Sequence, residues 1–177
     1  MLEVVKQKLE EILDKEVVIN DNVLSVNEIC NFENKFQIQL PEEYKDFLRD
    51  YVEVYVNDNY KFQMSEKSTI TPNDGFESMD YLYSADFILK AEQFFSNYGK
   101  EMIPIGEASG DIICMGIQGE RYGKVYYFYH ENESIEQNYY LIAESFNEFI
   151  LSFEKWVEDI INLDEIEIEL DDDLWND

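Results

Sequence analysis

This chain of 177 residues is short of cations: 13 Lys and Arg stand against 40 Asp and Glu, for a formal net charge of −27. A chain so acidic repels phosphate backbones and anionic lipid, so neither nucleic-acid binding nor membrane docking is expected. A basic protein is the natural complement, although acidity also serves solubility by itself. Histidine is almost absent, and any His-paired nucleophile would have to work through His130, with no Gly-x-Ser-x-Gly elbow to support it. Two cysteines, Cys30 and Cys114, and one histidine are too few for a His/Cys metal site. The oxygen-only run Asp171-Asp172-Asp173 lacks the spacing of a calcium loop. Both cysteines fall in expected regular elements and read as buried free thiols.

Glycine is scarce where phosphates would need it. The segment Gly106 to Gly110 has neither the length nor the lysine of a nucleotide-cradling loop, and nothing matches the dinucleotide fingerprint. With 40 acids in the chain, no pair stands out for acid–base work. No catalytic residue, cofactor site or metal site is therefore assigned, and the chain is expected to be non-enzymatic. Apolar runs stay far below the roughly 20 residues that cross a bilayer, and the amphipathic start MLEVVKQKLEEILDKE is no signal peptide, so a cytoplasmic location is expected.

What the chain has is aromatic bulk. Phe, Tyr and Trp make up 15% of it, with 13 Tyr and 12 Phe, and hydrophobic residues make up 45%. That suffices for a single domain with an aromatic-rich core. Its centre reads as a β-hairpin: runs Asp111 to Ile117 and Lys124 to Tyr129 are dense in β-branched and aromatic residues and flank Gly119 and Gly123. Before it, Ile103-Pro104-Ile105-Gly106 reads as a sheet edge, because proline removes a ladder donor. Ser109-Gly110 then shapes a loop. Apolar residues at nearly every position imply cover on both faces of the sheet.

Along the chain, Leu2, Val5, Leu9, Ile12 and Leu13 recur at helical spacing, so residues 2–14 should be a helix. Val17 to Ile19 can add a short strand. Ser25 and Glu28 form a capping box for a helix burying Ile29, Phe32 and Phe36. A second helix starts at Pro41, where the missing N–H has no partner, with Tyr44, Phe47, Leu48 and Tyr51 on one face. Val52 to Val56 and Tyr60 to Met64 suggest a hairpin around Asn57-Asp58-Asn59. Residues 65–86 have no clean period and read as irregular. Phe87 to Tyr98 is helical, with Gly99 as its stop. Tyr139 to Ile142 is a further strand, and Ser145 with Glu148 caps a helix whose stripe runs Phe146, Phe149, Ile150, Phe153, Trp156, Val157, Ile160. That stripe packs on the sheet or meets a partner. The tail 162–177 holds no basic residue; it is a frayed acidic end or, through alternating Ile166, Ile168 and Leu170, an added edge strand.

The order of these pieces resembles the SUKH superfamily, which joins bacterial immunity proteins to a yeast regulator of cell-wall synthesis. The resemblance rests on SVNEICNFE from Ser25, Leu40-Pro41-Glu42-Glu43-Tyr44, Ile103-Pro104-Ile105-Gly106, Gly110 to Cys114, Gly123 to Tyr127, and Ile142 to Phe149, and spans roughly residues 25–155. It implies an α+β fold with a central, mainly antiparallel sheet and helices around it, over residues 1–161, followed by the tail. It also implies action by binding: a cytoplasmic immunity protein that neutralises a cognate polymorphic toxin, in this case a basic, nuclease-type domain. The partner-binding candidates are acids and loop groups beside the sheet: Asp74, Glu107, Ser109, Asp111, Glu131 and Glu133. The alternative is an intracellular scaffold or regulator, docking through the aromatic helix or the tail.

Overall fold

The computed structural model describes residues 1–14, 23–51, 54–64, 75–84, 87–129 and 138–156. Val17 to Ile19, His130, Val157, Ile160 and the acidic tail lie outside them. So do three of the six binding candidates, Asp74, Glu131 and Glu133.

Local signals produce the helices. Helix α1 (Glu3–Ile12) buries Val5, Leu9 and Ile12, one stripe at helical spacing. Helix α2 (Val26–Phe36) opens on the expected capping box, the Ser25 hydroxyl accepting from the Glu28 N–H while the Glu28 carboxylate accepts from the Ser25 N–H at 2.9 Å. It buries Ile29 and Phe32. Cys30, expected to be buried, is exposed, because it sits one residue round the helix from Ile29; Cys114 is buried as expected. Helix α3 (Glu42–Asp50) uses Pro41 as its N-cap and buries Tyr44, Phe47 and Leu48.

Among the described residues nine short strands follow: β1 (Val54–Tyr55), β2 (Tyr60–Gln63), β3 (Phe76–Ser78), β4 (Tyr81–Leu82), β5 (Met102–Ala108), β6 (Asp111–Gly116), β7 (Val125–Phe128), β8 (Tyr139–Ala143) and β9 (Phe153–Lys155). Helix α4 (Phe87–Tyr98) lies between β4 and β5, and α5 (Phe146–Leu151) between β8 and β9. A six-stranded sheet runs β1-β4-β5-β6-β7-β8 and a three-stranded one β3-β2-β9, all antiparallel. The α+β class and the central β6–β7 hairpin are as the sequence implies. Gly116 makes that hairpin possible: a Cβ there would stand 2.0 Å from the Arg121 carbonyl oxygen.

Four expectations are corrected. β1 and β2 are not a hairpin. The Asn57 turn forms, with the Tyr60 N–H bonded to the Asn57 carbonyl at 2.9 Å, but Ile12 and Asp80 hold the β1 end through Asn57 N–H and Val56 N–H. β1 thus pairs with β4 and β2 with β3 and β9. The irregular stretch contains β3 and β4, too short to show a period. β5 is interior rather than an edge; the register shifts between Pro104 and Gly106, which accommodates the missing donor. The last helix stops at Leu151, and Phe153 enters β9 instead of extending the stripe.

The core is aromatic. Tyr44, Phe47, Phe62, Phe87, Phe128, Phe146, Phe149 and Phe153 are among its largest fully buried side chains. Phe62 meets Phe149 and Phe153 with centroids 5.4 and 5.6 Å apart, which joins the small sheet to α5. Phe94 and Tyr98 of α4 meet Phe128 at 5.7 and 4.8 Å, which seats that helix on one face of the large sheet.

Candidate binding site

Cross-strand register decides what the large sheet presents. Tyr55, Tyr81, Glu107, Ile112, Phe128 and Tyr139 stand opposite one another across six strands, a row on the face that α4 covers. Glu107 is the one acid in it. Two residues on, the chain turns through Ser109 (φ 52°) and Gly110 (φ 85°), a two-residue hairpin loop with both central residues left-handed. Asp111 comes back on the opposite face, paired with Ala108.

Strand alternation thus sends the three described candidates in different directions. Glu107 faces α4 and is half-exposed. Its Oε1 accepts from the Tyr83 hydroxyl and from Lys90 Nζ at 3.2 Å. Burial pushes its pKa up, but hydrogen bonds from Tyr83, Tyr81 and Lys90 outweigh that and hold it below the usual carboxylate range. Burial likewise disfavours charge on Lys90, and Glu107 overrides it and raises the ammonium. Lys90 Nζ also lies 4.9 Å from the Tyr83 ring centre and 5.9 Å from that of Tyr81.

Ser109 is exposed and donates to Glu77 Oε1 of β3 at 2.8 Å, tying the turn to the small sheet. Asp111 is only 7% exposed. Its Oδ2 accepts from the Tyr127 hydroxyl at 2.9 Å, and burial, with Asp111 second, pushes that phenol far above its ordinary pKa. Asp111 holds the hairpin's base, while Glu107 and Ser109 are the groups a partner can reach.

A cleft of about 250 Å³ opens between α4 and the sheet beside Glu107. Lys90, Gln93 and Phe94 line it from the helix, Pro104, Glu107 and Ile112 from the strands. Sequence reasoning missed Glu77, Tyr81, Tyr83 and Lys90. The Tyr81-Leu82-Tyr83 alternation was a strand signal of period 2, but too short to rise above its surroundings. Nothing local marks Lys90, which reaches Glu107 only once α4 is docked.

Charge is distributed unevenly over this surface. Seven of the eleven described Lys and Arg are ion-paired: Lys6, Lys8, Lys35, Lys45, Arg49, Lys90 and Lys124. Three others, Lys61, Lys100 and Arg121, lie over aromatic rings. The described acids number 21, so the outward field belongs to carboxylates. Among the described residues, no group of three or more His, Cys, Asp or Glu could hold a metal ion, and no helix is long and apolar enough to cross a membrane.

A known protein resembles this one over most of its length. The "SPbeta prophage-derived uncharacterized protein YokK" of Bacillus subtilis (strain 168) is 31% identical over 157 residues, covering 77% of this chain and 79% of the relative. The sequence profile of one family matches residues 24–152, from two residues before α2 to one residue past α5. On these grounds the chain belongs to the SMI1 / KNR4 family (SUKH-1).

Proposed function

We propose that this protein is a cytoplasmic immunity protein that acts by binding, without turnover, and neutralises a basic, nuclease-type toxin domain. The observation that carries the reading is the charge distribution: ten of the eleven described cations are tied to carboxylates or rings, and the excess carboxylates are left to project a negative field. A surface that grips phosphates is basic, and an acidic inhibitor steers onto it at up to about 10⁸–10⁹ M⁻¹s⁻¹ at low salt. The β5–β6 turn, with Glu107 and Ser109 held by Tyr83 and Glu77, supplies a rigid edge for such a contact. Membership of a family that includes immunity proteins, and a relative of prophage origin, support a role in conflict between bacteria or their phages.

The test is co-expression with the product of the gene beside its own. Relief of growth arrest and a complex that survives at about 0.15 M salt are expected. Arrest that persists with both proteins soluble, and no complex on co-purification, would overturn the reading.

A further inference from the structure

We propose that the cleft under α4 receives one arginine side chain of the basic partner, whose guanidinium takes Glu107 from Lys90. The inference rests on the functional reading above for the sign of the partner's charge, and on the cleft's own chemistry for the rest.

Size comes first. At about 250 Å³ the cleft falls below the roughly 300–1,000 Å³ typical of cofactor and small-molecule sites. A single long side chain suits it better. Phe94, Pro104 and Ile112 offer apolar wall for a methylene stem, while Gln93 and Glu107 place acceptors along it. A guanidinium carries five donors in a planar fork and is weakly hydrated, so a half-buried carboxylate beside the Gln93 and Asn97 carboxamides fits it better than it fits an ammonium.

Glu107 is set up for the exchange. The Tyr83 hydroxyl fixes the carboxylate through Oε1, and Lys90 uses the same oxygen at 3.2 Å, longer than the 2.7–2.9 Å of a strong charge-assisted bond. The Tyr81 hydroxyl is a third donor to this carboxylate. Lys90 has somewhere to go when displaced, because two tyrosine rings already lie within 6 Å of its Nζ. An incoming carboxylate would instead have to evict Glu107 within a chain of net charge −27. Charge complementarity therefore selects the cation.

The experiment titrates N-acetyl-arginine amide into the ¹⁵N-labelled full chain at low salt, with the norleucine and glutamate amides as comparisons. Only the arginine compound should shift the backbone amides of Lys90, Gln93 and Glu107. Lys90→Met removes the competing cation and should tighten arginine binding by about two- to five-fold, the worth of a partly exposed ion pair. Glu107→Gln should abolish it, with the rest of the spectrum unchanged as proof of folding. Silence at the cleft overturns the inference, as do weaker binding in Lys90→Met or equal shifts from the glutamate amide. If the arginine amide binds here and no basic partner is found, the immunity reading fails and the cleft stands. If a toxin complex forms and neither variant alters it, the cleft proposal fails alone.

Discussion

Replacing Tyr127 with Phe removes one oxygen from the base of the β5–β6 hairpin and should be felt in two pH ranges. The Tyr127 ring is 2% exposed, so the substitution leaves packing intact. What is lost is the hydroxyl's bond to Asp111 at 2.9 Å and a longer one to the Ala108 carbonyl. A hydrogen bond to a charged group contributes about 1.5–3 kcal/mol, so the variant should be less stable by that amount at pH 7, a Tm drop of about 3–12 °C. Above pH 10 the difference should shrink. The phenol's folded pKa is raised by burial and by Asp111, so the unfolded chain releases its proton first. Its stabilisation is complete below the unfolded value near 10 and is lost as pH rises toward the folded one. The wild type should lose about 1.4 kcal/mol per pH unit there, which the phenylalanine variant cannot lose. Urea melts at pH 7, 9 and 10.5, read by far-UV circular dichroism, give the difference directly. A gap below about 0.5 kcal/mol at pH 7, or one that stays constant from pH 9 to 10.5, refutes the reasoning.

Other perturbations follow from the same geometry. Gly106→Ala puts a Cβ 2.5 Å from the Tyr81 carbonyl oxygen and 2.3 Å from Met79 Cε, and should cost about 3 kcal/mol; adding Met79→Ala should fail to restore stability, since the carbonyl cannot move aside. Ser25→Ala breaks the capping box of α2 and should cost about 1 kcal/mol in a chemical melt. Phe62→Ala leaves a cavity against Phe149 and Phe153 and should cost about 3–5 kcal/mol, with faster amide exchange in β2 and β9 than in β6 and β7. For the proposed toxin complex, the association rate should fall steeply between low salt and about 0.15 M while the dissociation rate changes little, as stopped-flow measurements would show.

The elements legible in the sequence are those whose cause is local. The capping box at Ser25, the stripe from Phe87 to Tyr98 and the glycines around the β6–β7 turn each carry their reason within a dozen residues. The misread elements depend on partners far away. The Asn57 turn is real, yet the strands on either side are claimed by β4 and by β3 and β9. Phe153 continues the apolar spacing of α5 by one turn, but Phe62 captures it into a strand, and the Ser152 hydroxyl bonds the Phe149 carbonyl where the helix gives way. The site follows the same division. Glu107 and Asp111 lie four residues apart and looked alike as acids beside a turn. A two-residue hairpin reverses the chain and sends them to opposite faces, one to a cleft and the other to a buried tyrosine.

That separation bears on how so acidic a chain can fold and still offer charge to a partner. Self-repulsion destabilises a compact body of high net charge, and here the aromatic core and the antiparallel ladders oppose it. Some carboxylates do serve internal structure, among them Asp111 toward Tyr127, Glu28 at the α2 cap, Glu77 toward Ser109, Glu33 toward the Leu40 N–H and Glu43 toward the Asn147 N–H. Glu107 belongs to both classes, because it sits on an interior strand yet keeps an edge toward solvent. Its fixed position comes from the sheet and its availability from the gap under α4. A carboxylate on a floppy loop would lose side-chain and backbone freedom on binding, whereas this one has already lost it on folding. The acids that steer a partner can therefore be many and loosely placed, while the one that discriminates must be held by the fold.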